Sequence, residues 1–196
     1  MCMAVNTVGY SAQTPQRLLL DAGAIYKNIT YDEATGDFTG ELLGATSGGN
    51  EFAFAQTTRT IEVDGVKGRA KGLTVVESEE ANLTVNLKEL TASNIALALA
   101  GANLDESDSN YDIITSKGKI ELTDYLDSIA FVGRQSGTNK PVVIVLENVL
   151  SMEGLTINTQ DNDEAIIPIV FGAHSDEEDI LSGRAPVTIY WPKEEV

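Results

Sequence analysis

At 196 residues, with a formal net charge of −17 and a pI of about 4.2, the chain fits a single domain and repels other polyanions. That balance argues against direct binding of nucleic acid or anionic membrane. It suits either plain solubility or a surface that faces DNA without adhering to it. Apolar content of 42% supports an ordered core that buries roughly 70% of the unfolded surface without staples, and the one cysteine, Cys2, allows neither an intrachain disulfide nor a Cys-rich metal site.

The opening residues lack the positive region and apolar core of a signal peptide, and no apolar run approaches a membrane span. The chain is therefore expected to fold in the cytoplasm and stay soluble. Residues 1–16 mix small and polar types and read as an N-terminal arm. The segment 17–27 is a strand candidate interrupted at Asp21–Gly23. Residues 28–50 carry five glycines among Thr, Asp and Glu and read as a long loop, either mobile or in contact with a neighbouring copy.

Phe52 and Phe54 alternate in one phase, Ile61 and Val63 in the other. Because a strand repeats every two residues, an extra residue is expected near Gln56–Arg59. Asp64–Gly72 reads as a flexible loop whose tip carries Lys67, Arg69 and Lys71 in an otherwise acidic chain. It is either a solvated tip or a dock for an acidic face of the next subunit. The return strand holds register from Leu73 to Leu87. Leu73, Val75, Ala81, Leu83, Val85 and Leu87 share a dry phase, broken by Glu77 and Glu79. Thr74, Ser78, Glu80, Asn82, Thr84, Asn86 and Lys88 share a wet one, with Val76 as the exception. Unbroken, that strand would span about 45 Å, long for a small domain.

Thr91 suits the N-cap of a helix over 91–101, with Leu90 and Ile95 as a hydrophobic staple and Gly101 as the stop. Its apolar character nearly all round predicts burial. Leu104–Asp112 is an acidic loop that fits no EF-hand register. Strands are predicted at 111–115, 127–134, 141–150, 155–159, 165–174 and 186–192. Pro168 places its strand at an edge or a bulge, and Asp176–Asp179 reads as a charged loop. Many short strands with one helix suggest a sandwich or open barrel.

Chemistry finds little foothold. His174 is the only histidine, at a strand end with no nucleophile-elbow pattern, and reads as structural. No phosphate-binding glycine fingerprint occurs, and aromatics at 6% are too scarce for a base-stacking platform. The expectation is no enzyme, no cofactor and no metal.

The segments IEVDGVKGRAKGL (61–73) and LTVNLKELTASNIALALAGA (83–102) resemble the tail tube proteins of long-tailed bacteriophages. So do LLLDAGAIYKN (18–28), LLGATSGGNEF (42–52) and GLTINTQDNDEAIIPIVFGAH (154–174). Together they cover most of the chain in order. The acidic loop 104–112 and the extension 1–16 depart from the family pattern. Inner tubes of contractile phages and tailocins are similar in fold. The resemblance implies a mainly β protein, a tail-tube-type sandwich or half-barrel over 1–196 with one flanking helix, an extended N-terminal arm and long loops. It implies a virion protein assembled in the host cytoplasm: hexameric rings stacked into a hollow conduit, built around a tape-measure protein and meeting tail terminator and distal tail proteins. DNA would cross the lumen without specific binding, and no membrane is involved.

On that view Ser78, Glu80, Asn82, Thr84, Asn86 and Lys88 face the lumen, and Lys67, Arg69 and Lys71 dock between subunits. A monomeric sandwich that binds glycans through Trp191 and Tyr190 is the alternative from another functional class.

Overall fold

A computed structural model describes residues 8–193; Cys2 and most of the arm's first half lie outside that range. The chain is mainly β. In chain order the strands are β1 (Leu19–Asp32), β2 (Asp37–Leu42), β3 (Thr46–Thr60), β4 (Thr74–Leu87), β5 (Ala102–Asp105), β6 (Ile113–Ser116), β7 (Leu126–Gln135), β8 (Pro141–Ser151), β9 (Asn158–Gln160), β10 (Asp163–Gly172) and β11 (Val187–Tyr190). Two short helices interrupt them, α1 (Ala92–Ala98) and α2 (Glu177–Ser182).

Nine strands form one antiparallel sheet along the path β2–β1–β7–β8–β10–β4–β3, with β11 added to β8 and β9 to β10. β5 and β6 form a separate hairpin. The strand that joins the two wings is β8. It pairs with β7 along most of its length and with β11 through Val143–Leu146. Its last residues, Leu150 and Ser151, switch to Gly172 and Phe171 of β10. Asn148, at φ +50°, sits just before the change of partner.

The wings fold over one core. Ile25 of β1, Ile129 of β7 and Leu146 and Val149 of β8 meet Leu83, Val85 and Leu87 of β4 and Ile167, Ile169 and Phe171 of β10. The free end of the curl is tied back, because the Asn50 side-chain amide on β3 donates to the Ala22 carbonyl on β1 at 3.1 Å. A second, smaller core of Ile29, Ala130, Val143 and Val145 lies on the outer face, under Tyr26, Phe38, Val132 and Tyr190.

Four sequence expectations need correction. The segment 28–50 is not a loop: it completes β1, turns at 33–36, forms β2 and begins β3. Its β-branched and aromatic residues win over its glycines, one of which (Gly36, φ +77°) serves the turn. The run Asp176–Asp179 is not a loop but caps and begins α2, so there are two helices instead of one. The arm 1–16 is not wholly extended among the described residues, since Thr14–Gln16 form a 3-10 turn. The helix after Thr91 ends at Ala98, and only Asn94 and Ala98 are fully buried in it. With so short a helix at the rim of the core, one stripe suffices.

The N-cap reading holds, since the Asn94 N–H donates to the Thr91 hydroxyl at 3.2 Å. Leu90 stays exposed. Asp21 (φ +65°) and Gly23 (φ +71°) interrupt the β1–β7 ladder where the sequence breaks its pattern. Pro168 pairs with Asn86 on one side; on the other it lies between the β9 ladder, which ends at Ile166, and the β8 ladder, which starts at Phe171. There its missing N–H leaves no ladder bond broken.

Candidate functional site

The β3–β4 hairpin dominates one end of the path, with β3 as its terminal strand. Cross-strand partners share a face, so the register assigns every side chain. Phe52 with Leu83, Phe54 with Ala81, and across to β10 Leu83 with Phe171, Val85 with Ile169 and Leu87 with Ile167, form the dry face. The other face pairs Glu51 with Thr84, Ala53 with Asn82, Ala55 with Glu80 and Thr57 with Ser78 on β3. On β10 it pairs Asn86 with Pro168, Thr84 with Val170 and Asn82 with Gly172.

The structure thus brings Ser78, Glu80, Asn82, Thr84 and Asn86 onto one solvent-facing surface, with Lys88 following in the same phase. Ser78, Glu80 and Lys88 are exposed, and Asn82, Thr84 and Asn86 are half-buried. Asn86 donates to the Gly49 carbonyl at 2.8 Å, which fixes its amide along the strand. Lys88 pairs with Glu164 at 2.9 Å. The Lys88 hydrogen bond, then Glu164's own backbone, hold that carboxyl below its ordinary value. Glu51, Glu80 and Glu164 against Lys88 leave three negative charges to one positive, so the face is acidic. The β3 half of this face was legible in the alternation of Glu51, Ala53, Ala55 and Thr57 against the two phenylalanines; the β10 contribution depends on pairing across distant sequence.

A bulge lies where the phases clash, but its extra residue belongs to the other strand. Thr57 pairs with Ser78 and Thr58 with Val76, leaving Glu77 unpaired on β4. That insertion moves Val76 to the side opposite Ser78. The bulge also corrects the expected phases beyond it. Thr74 and Val76 share the side of Phe54, and Val75, opposite Arg59, turns to the other. The dry phase expected from Leu73 to Leu87 therefore holds only from Ala81 onward, and Val76 remains exposed. Glu77 turns to Arg59 at 2.9 Å, and Glu79 accepts from Gln56 at 2.6 Å.

Beyond the bulge the hairpin ends in the loop 61–73. The Ile61 N–H bonds to the Leu73 carbonyl and internal turns close the rest. Gly65, Gly68 and Gly72 all have positive φ and open space where a Cβ would stand, so the loop projects from the body. Lys67, Arg69 and Lys71 are exposed there and make no ion pair among the described residues. Ile61, Val63 and Val66 are exposed beside them.

The remaining candidates lie elsewhere on the molecule. His174 Nδ1 lies 3.2 Å from the Asn148 carbonyl, and its ring packs edge-on against Tyr125. At the end of β5 the Ser107 side chain first, and then its backbone N–H, lower the Asp105 carboxyl pKa. In the acidic loop the Asn110 and then the Tyr111 backbone N–H lower that of Asp108; both carboxylates accept the bonds of local turns. Among the described residues no three His, Cys, Asp or Glu side chains group as a metal site. No described helix is long and apolar enough to cross a membrane. Near the C-terminus Tyr31, Phe38 and Tyr190 pack ring to ring, beside an exposed Trp191.

No protein-family model matches the chain, and no curated protein matches it in sequence.

Proposed function

We propose that this chain is the structural subunit of a phage tail tube, forming hexameric rings that stack into a conduit for DNA. The observation that carries the reading is the β3–β4 hairpin, a long terminal strand pair, dry on one face and acidic on the other. Its β3 edge has no second ladder among the described residues and is tied only near its start, at Asn50. Such an edge invites pairing with another chain, and a head-to-tail contact that closes after a few copies removes it. The polar face of Ser78, Glu80, Asn82, Thr84, Asn86 and Lys88 then lines the bore. DNA slides past it because adhesion requires Lys and Arg to neutralise phosphates. The family resemblance supplies the ring number, the tape-measure protein and the tail-end partners.

Negative-stain imaging of concentrated protein tests this. Rings or hollow tubes are expected. A species that stays monomeric at millimolar concentration, and also when co-expressed with the tape-measure protein, overturns the reading.

One observation favours a second reading, a glycan-binding module. A groove lined by Tyr31, Phe38, Tyr190 and Trp191 lies at the outer face, with Lys140 and Lys193 at its sides. Stacking of sugar rings on Trp191 would be lost in Trp191→Ala on a glycan array.

A further inference from the structure

The second helix presents its apolar side chains outward. Ile180 is 71% exposed and Leu181 80%, while Asp176, Glu177 and Glu178 crowd the same short turn. The helix is nonetheless held firmly. Asp176 caps it, accepting from the Asp179 N–H at 2.9 Å. Gly183 closes it in the left-handed conformation. The Asp179 side chain, fully buried, accepts from Arg184 Nε at 2.9 Å, and Arg184 also reaches Glu147 of β8 at 3.0 Å. This turn, capped at both ends and joined to β8 through Arg184, exposes Ile and Leu among carboxylates, an apolar surface of the kind that partners cover.

The loop 61–73 has the complementary chemistry. It offers Lys67, Arg69 and Lys71 at its far side, preceded by exposed Ile61, Val63 and Val66. Glu62 and Asp64 alternate with the first aliphatic residues, so three cations against two carboxylates leave the loop at +1 and its positive charge concentrated at 67–71. Within one copy no hydrogen bond or ion pair among the described residues joins this loop to α2. We propose that α2 is the receptor for the 61–73 loop of a second copy of this chain. Ile180 and Leu181 pack on the loop's aliphatic side chains, and Glu177 and Glu178 face its cations. The apolar contact supplies the affinity and the charges supply register, since exposed ion pairs add little individually. The proposal rests on the self-assembly reading and names the partner surface within it.

Cross-linking tests it in the full chain with Cys2→Ser. Copies carrying only Val66→Cys are mixed with size-tagged copies carrying only Leu181→Cys, and oxidised. The expected product is the mixed disulfide in excess over like-with-like pairs. In parallel, sedimentation measures self-association of the neutral variant Glu177→Gln/Glu178→Gln and of Glu177→Lys/Glu178→Lys. Folding is checked by circular dichroism, and the capping Asp176 and Asp179 are left intact. The reversed-charge variant should associate roughly 10-fold more weakly, about 1.4 kcal/mol. Association should recover when that variant is mixed with Lys67→Glu/Arg69→Glu/Lys71→Glu copies. That triple variant alone should fold normally but associate poorly. If the unaltered chain assembles while no mixed disulfide forms and the α2 variants associate normally, the α2 receptor is overturned and the tube reading stands. If the unaltered chain does not associate at all, both fall together.

Discussion

The buried side-chain amide of Asn94 donates to the carbonyl of Leu43 at 3.1 Å, joining α1 to the connection between β2 and β3. The same amide reaches the Glu89 carbonyl, also at 3.1 Å. One polar side chain thus satisfies two main-chain acceptors from segments more than 40 residues apart in sequence. Asn94→Ala leaves both carbonyls without that donor and should lower stability by about 2 kcal/mol. Urea denaturation of the variant against the parent measures it, and an unchanged midpoint would show that the helix is not anchored by this residue.

Two glycine replacements separate strain from collision. Gly101 lies three residues beyond the end of α1, so it is not the helix stop the sequence suggests. It has φ +68°, and a Cβ there would strike the Lys119 carbonyl oxygen. Gly68, at φ +91° in the projecting loop, has open space in the same direction. Gly101→Ala should therefore cost about 3 kcal/mol or more, and Gly68→Ala about 1 kcal/mol. Equal thermal shifts for the two would contradict the packing described at Gly101.

The base of the β5–β6 hairpin is set by charge. Lys117 Nζ lies 2.5 Å from Asp124, and Asp124 also accepts from the Glu121 N–H at 2.8 Å. The Lys117 hydrogen bond first, and then the Glu121 backbone, hold the Asp124 carboxyl below its ordinary 3.8. A carboxyl depressed in the folded state gives stability that is complete above the unfolded value and is lost as pH falls through the folded one. Asp124→Asn should melt earlier than the parent at pH 7, with the gap narrowing as the pH drops below about 4. Melting curves across that range decide it, and a gap independent of pH would exclude the charge as the cause.

The acidic face of β4 makes a prediction about DNA. Glu80→Lys with Asn82→Lys places two cations beside the Lys88–Glu164 pair on a solvent-facing surface. Neither side chain enters the core, so assembly should survive. Affinity for double-stranded DNA should rise in a salt-dependent manner, each neutralised phosphate adding about 0.9 to the log–log salt slope. On the proposed tube function, a phage carrying the double variant should eject its DNA more slowly. Normal ejection would remove these residues from the proposed bore.

Much of this was legible from local pattern alone. The alternation from Leu83 to Leu87 fixed the dry face, Thr91 marked the helix start, and the clash of phase beyond Phe54 located a bulge. What escaped detection depended on partners far along the chain. That Glu77 and not a residue of β3 is the inserted one follows only from pairing. The glycine-rich 28–50 segment reads as loop until Ile29, Tyr31 and Phe38 find β7 and β11 to pack on. For α2, Asp176 and Gly183 were available as cap signals, but four consecutive acidic residues hid them. The acidic face itself was readable as chemistry, while its freedom from a covering layer needed the fold.

One strand, β8, carries hydrogen bonds to both wings, changing from β7 and β11 to β10 just past Asn148. Neither half of the molecule therefore has a private boundary along which it can detach. Pulling one wing away strips the other of its shared neighbour, so partial melting gains little entropy for the contacts it forfeits. The chain should come apart in one cooperative step, with calorimetric and van't Hoff enthalpies in agreement, so that its two wings yield together or not at all.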